Sequence, residues 1–203
     1  MSSYLLDTTL ASLPEYLNQM EVARLMSVFE QDNPQRQRDH AIVRCLVDLG
    51  LRSFGVAALC LEDIDWKNAT LTVRVGKSRR ADILPLPAVT GHAIANYLHK
   101  ARPATESRAL FVRHRAPLDI PVDAGVIRSV VRQAAARSGV AGRLHGPHRL
   151  RHSAATRMLQ GGATLKEIAD VLRHRSLDTT AIYAKVDLGR LSAIAQPWQG
   201  GVA

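Results

Sequence analysis

At 203 residues and 46% apolar, the chain is long enough to bury one ordinary core and too short for two large ones. Its 27 Lys+Arg against 18 Asp+Glu leave a formal net charge of +9, which favours a polyanionic partner. Cys45 and Cys60 lack metal or redox spacing and imply no disulfide framework, and no uncharged run of about 18 apolar residues is present to cross a membrane.

Met1-Ser-Ser-Tyr-Leu-Leu-Asp lacks a basic stretch leading into an apolar one, so a cytoplasmic protein that engages no membrane is expected, with both cysteines as small core residues. Asn18 followed three residues on by Glu21 is a capping-box signal, and Val22, Leu25, Met26 and Phe29 continue it with helical spacing. Asp32-Asn33-Pro34 breaks that helix. Ala41, Ile42, Cys45, Leu46 and Leu49 then mark one face of a second, which stops at Gly50 with Arg52 just beyond. Ile64-Asp65-Trp66, Leu71 to Val75 and Ile83-Leu84-Pro85 read as a short antiparallel meander, with Lys77 in its second turn.

Ala88 to Lys100 and Ala124 to Arg137 are predicted helices, the second with Val126, Ile127, Val130, Val131 and Ala134 inward. From Arg102 to Arg151 there are ten arginines against three acids, Glu106, Asp119 and Asp123, a bias that suits bidentate phosphate contact. A helix from His148 to Leu159 ends at Gly161-Gly162, and Thr164 with Glu167 opens another through Leu165, Ile168, Val171 and Leu172. Ser176 is expected to cap a further helix carrying Tyr183, and Asp187 a final one with Leu191 and Ile194. The fold class expected is mainly α with a small antiparallel three-stranded sheet.

His148, Arg151, His174 and Tyr183, in that order, are phosphate-binding and proton-handling side chains that end on one tyrosine, and Arg52 and Lys77 can add positive charge. Taken singly, each has a plainer reading. Arg52 suits a helix C-terminus, Lys77 is a turn lysine with Arg79 and Arg80 as competitors, and Tyr183 can be a packed aromatic. His148 and His152 form an i, i+4 pair, but arginines flank them and no glutamate follows the first, so no metal is expected.

Gly50-Leu51-Arg52, Gly76-Lys77 ahead of Pro85, His148-Arg149-Leu150-Arg151-His152, Leu172-Arg173-His174 and Asp178-Thr179-Thr180-Ala181-Ile182-Tyr183 together resemble the tyrosine recombinase (phage integrase) catalytic domain. The resemblance covers about residues 15 to 190, leaving 1–14 as a loosely ordered extension and 191–203 as a tail that can contact a neighbouring protomer. It implies site-specific DNA recombination and integration with double-stranded DNA as partner, as in mobile elements, by a monomer in free solution that assembles as a tetramer on synapsed DNA. Tyr183 would be the nucleophile, forming a 3′-phosphotyrosyl bond that stores the energy, so no cofactor is required. A tyrosine of ordinary pKa is ionised about one part in a thousand at pH 7, so roughly 4 kcal/mol must come from a base or from local positive charge. The resemblance makes His148 that base, Arg52 and Arg151 the clamp on the non-bridging oxygens, His174 a further donor and Lys77 the general acid. Arg79, Arg80, Arg149, Arg173 and Arg175 are further candidate DNA contacts, and His152 is structural.

Two positions depart from the family pattern: Gly55 stands where an acid usually orients the active-site histidine, and Arg173 stands where a glycine usually precedes His174. The N-terminal helical clamp that usually precedes such a domain is also expected to be absent, with weak and salt-dependent DNA affinity as the consequence. Two other classes stay open at this point. One is a DNA-binding protein without chemistry that uses residues 148–173 as a helix-turn-helix, and the other a topoisomerase IB-like relaxing enzyme.

Overall fold

The computed structural model describes residues 15–30, 33–74 and 81–173. Helix α1 (Gln19–Ser27) begins at the expected capping box: the Asn18 side chain accepts from the Glu21 N–H at 2.9 Å, and Glu21 accepts from the Asn18 N–H at 2.8 Å. Asn33 acts as a start rather than only a break. Its side chain accepts from the N–H groups of Gln35 and Arg36, and Pro34 opens α2 (Pro34–Asp48), where its missing donor costs nothing.

Helix α2 is buried on more than one face, with Ala41, Ile42, Val43, Cys45, Leu46 and Val47 all fully inaccessible. A helix apolar on so many sides belongs at the centre of a core, and the helices at 88–96, 124–137 and 147–160 pack around it. Truncating Ile42 or Leu46 to alanine there should cost about 2–5 kcal/mol. Cys45 lies in this core, where burial pushes its thiol up to about 12, whereas Cys60 is only partly covered. Cys60 pairs across a single bridge with Ala109, at the edge of the packing, which is why it departs from the expected core position.

Helix α2 ends against Gly50, which has φ +61°. A Cβ at this glycine would lie 2.5 Å from Leu172 and 3.3 Å from Ala154, so only glycine permits both the conformation and the approach of two later helices. Directly afterwards comes α3 (Ser53–Ala57), a helix too short to leave a periodic signature in the sequence; Arg52 is its N-cap residue.

The sheet is a meander, β1 (Ile64–Asp65), β2 (Thr70–Arg74) and β3 (Ala81–Pro85), all neighbours antiparallel. Leu71 sits opposite Ile64 on one side and Leu84 on the other, and these side chains face the core while Ile83 stands 68% exposed. Helix α4 (Ala88–Asn96) was expected to run evenly to Lys100. Instead, its end widens into a π turn at Tyr97–Ala101, in which the Arg102 N–H reaches back to the Tyr97 carbonyl at 2.7 Å. Tertiary packing decides this: Tyr97 is wholly buried, stacks on Phe111 at 5.6 Å and accepts from the Val112 N–H through its hydroxyl.

Helices α5 (Ala124–Arg137), α6 (Pro147–Gln160) and α7 (Leu165–Leu172) fall within a residue or so of their expected bounds. Thr164 and Glu167 cap α7 reciprocally, as their spacing predicts. Helix α7 is held to α6 by a small separate cluster of Ala155, Leu159, Ile168 and Leu172. Among the described residues, no helix is long and apolar enough to cross a membrane.

Candidate active site

Three helix beginnings and one helix end surround a cleft of about 310 Å³ lined by Leu51, Arg52, Ser53, Phe54, Ala124, Arg128, Pro147, His148 and Arg151. Arg52 enters from the N-cap of α3, Arg128 from α5, and His148 and Arg151 from the first turns of α6. Three guanidiniums and an imidazole thus meet with no carboxylate among the described lining residues. That is an anion site by charge.

Arg151 is 3% exposed. Its Nη1 donates to the Gly50 carbonyl at 2.6 Å and its Nη2 to the Leu172 carbonyl, so the guanidinium plane is fixed between the ends of α2 and α7. The Gly50 conformation brings those two carbonyls together. A residue with a side chain at position 50 would displace Leu172 and the anchor with it.

His148 lies one helical turn before Arg151 and is exposed to the cleft. Partial desolvation, then the charges of Arg151 and Arg52, hold its pKa below the ordinary histidine value. At neutral pH it is therefore an uncharged imidazole able to accept a proton. His152 meets it edge to face, with ring centroids 4.5 Å apart, and burial together with the charges around it lowers His152 to about 4. The expectation for His152 is a structural role, and the structure places its ring in contact with that of His148.

Arg149 turns elsewhere. Its Nη1 donates to the Arg143 carbonyl at 2.6 Å and pairs with Glu15. Several arginines of the basic stretch are likewise engaged by the protein: Arg102 donates to the carbonyls of Ser107 and Ala109, Arg108 pairs with Glu62, and Arg113 with Asp123. The compositional bias between Arg102 and Arg151 is thus partly structural. Arg173 is the C-cap of α7, in the left-handed region at φ +54°, and lies 3.8 Å from Asp82 of β3.

Of the six expected catalytic residues, Arg52, His148 and Arg151 come together in the cleft. Lys77, His174 and Tyr183 lie outside the described residues, as do Arg79, Arg80 and Arg175 and the helices expected after Ser176 and Asp187. Arg128 and Phe54 also line the cleft, and neither was singled out by motif. Arg128 sits on the outer face of α5, away from the apolar stripe, and Phe54 is an aromatic left 59% exposed. An aromatic without periodic partners next to Arg52 was the available signal for the latter.

Residues 15–190 match the model of the phage integrase family. The putative integrase/recombinase y4rA of Sinorhizobium fredii is 46% identical over 192 residues, a match covering 95% of this chain and 46% of that protein. Another from the same organism, y4gC, is 40% identical over 188 residues, covering 90% of this chain and 95% of the relative. The chain therefore spans less than half the length of the first relative and nearly all of the second. Among solved structures, the XerA recombinase superposes with a TM-score of 0.77 at 28% identity, covering 92% of this chain and 67% of that one. The XerH recombinase bound to a palindromic difH substrate superposes with a TM-score of 0.77 at 24% identity, covering 93% and 54%, a likeness of fold.

Proposed function

The chain belongs to the phage integrase family, and from that premise we propose that its cleft breaks and rejoins double-stranded DNA in site-specific recombination through a phosphotyrosyl intermediate. The observation that carries this reading is the convergence of Arg52, Arg128, Arg151 and a neutral His148 on one cleft with no carboxylate among its described lining residues. A DNA phosphate placed there meets guanidiniums fitted to bidentate contact with its non-bridging oxygens. That XerH carries a DNA substrate in its structure agrees with this partner.

In the proposed step, the Tyr183 hydroxyl oxygen bonds to the scissile phosphorus while the phosphorus–O5′ bond breaks. His148 takes the tyrosine proton, and Lys77 gives one to the departing 5′-oxygen. Arg52, Arg151 and His174 hold the added negative charge of the five-coordinate state. Attack by another 5′-hydroxyl reverses the sequence, and the number of phosphodiester bonds is conserved, so neither ATP nor a cofactor enters. The roles of Tyr183, Lys77 and His174 rest on motif order, as do DNA contacts by Arg79, Arg80 and Arg175. The cytoplasm, action as a free monomer, and a tetramer on synapsed DNA complete the proposal.

Nothing in the described residues favours a chemistry-free helix-turn-helix reader at 148–173, since Arg151 of its first helix is buried between α2 and α7. The test is adduct trapping on nicked half-sites taken from the DNA flanking the gene's own element. Wild type should yield a protein–DNA adduct that Tyr183→Phe abolishes. An adduct unaffected by that change, or none with any such DNA, overturns the reading, and relaxation of plasmid lacking a special site would move it to a topoisomerase.

A further inference from the structure

The two departures from the family pattern, Gly55 and Arg173, are neighbours in space. A Cβ built on Gly55 would lie 3.8 Å from Nη2 of Arg173, so that guanidinium occupies the ground a longer side chain at position 55 would need. The Arg173 side chain is only 10% exposed. Its Nε and Nη1 are buried and have no hydrogen-bond partner among the described residues. Asp82 is near at 3.8 Å, beyond hydrogen-bond range, and Arg52 faces the same guanidinium as a like charge. Burial first, and Arg52 after the opposing pull of Asp82, depress its pKa below the usual arginine value.

The backbone adds an independent observation. Arg173 holds φ +54°, a conformation strained for any residue with a Cβ and natural for glycine. A side chain kept at such a position, buried, beside another cation and with two nitrogens that lack a hydrogen bond among the described residues, is offset there by the Asp82 carboxylate at 3.8 Å, which does not take up those donors. An anion resolves all of this at once.

We propose that Arg173 is a further substrate-binding residue, its guanidinium taking a DNA backbone phosphate beside Arg52, next to the position where Gly55 has no side chain. This deepens the reading of the cleft as a DNA phosphate site and rests on it. Gly55 is then a requirement of the Arg173 contact: an acid at 55 would pair with the guanidinium and hold it away from phosphate.

The test uses the full chain, a duplex of arbitrary sequence, and the half-site adduct assay. Arg173→Gly should leave Tm unchanged or raise it, because the strained conformation is relieved. The slope of log affinity against log salt should fall by about one, the loss of one phosphate contact. Gly55→Glu, with Arg173 intact, should lower the slope by the same amount, and Gly55→Ala should not. An unchanged slope in Arg173→Gly overturns the proposal whatever happens to Tm, and a slope lowered equally by Gly55→Ala and Gly55→Glu does so too. The salt slope needs no chemistry: a wild type that binds the duplex but forms no adduct overturns the cleavage reading, while the slope still decides Arg173.

Discussion

Two regions of this molecule gather arginines, and they do so in opposite ways. At the start of α2, Arg38 is 4% exposed, and all its nitrogens are answered from within: Nε and Nη2 donate to Asp39 at 3.0 and 2.7 Å, and Nη1 to the Val112 carbonyl at 3.2 Å. At the cleft, Arg52, Arg128 and Arg151 line one hollow with no acid among its described residues, and Arg173 lies nearby with Nε and Nη1 unanswered among the described residues. A guanidinium whose partners are all internal joins elements of the fold; guanidiniums gathered without counter-charge are arranged for an anion from outside. Arg151 belongs to both kinds, since two carbonyls fix it while it lines the cleft.

That contrast can be broken most severely at Arg151. Arg151→Ala should slow adduct formation roughly 10²–10³-fold, and should also destabilise the fold by about 2 kcal/mol because two buried carbonyls lose their donor. Arg52→Ala, at a half-buried cap residue with no side-chain capping bond, should lose a similar factor in rate but keep stability within about 0.5 kcal/mol. A parallel loss of rate and Tm in both variants would erase the distinction.

Arg38→Ala should do the reverse. It strands the buried Asp39, whose pKa is already raised by burial against the pull of Arg38. About 3–5 kcal/mol of stability should go, read as a fall in urea midpoint, while the salt slope of DNA binding stays that of wild type. A changed slope would show that this arginine also meets phosphate.

The smallest expected effect is in pH. His148, His152 and His114 have folded pKa values below the ordinary one, with His152 and His114 near 4. As pH falls below about 6.5 the unfolded chain takes up protons that the folded chain refuses, so these groups lower stability through that window, and their effect levels off once pH is below 4. Tm should drop by a few degrees between neutral pH and 5, and adduct formation should fall as His148 becomes charged. A Tm that rises over the same range would contradict the neutral histidines. Replacing His152 by asparagine should flatten the slope without removing it.

How much of this was legible beforehand follows from what each feature depends on. The capping boxes at Asn18 and Thr164, the apolar stripe of α5 and the alternation around Leu71 are local, and local patterns could be read. Helix α3 could not be, having five residues and no period, and the π turn at Tyr97 depends on a hydroxyl that meets Val112 across the fold. In the site, motifs that resemble those of the phage integrase family singled out Arg52, His148 and Arg151, and these three line one cleft. Arg128 carries no motif, and its place in the cleft comes from the packing of α5 against α3. The proximity of Gly55 and Arg173 is also purely tertiary. In sequence they are two unrelated exceptions, and in space they share one site.

The central claim is that the cationic cleft presents a DNA phosphate to Tyr183, and mass spectrometry of the trapped adduct tests it most directly. After nuclease digestion, the account predicts a nucleotide joined through its 3′-phosphate to the peptide containing Tyr183, and to no other. A nucleotide attached to a different residue, or through its 5′-phosphate, would contradict it.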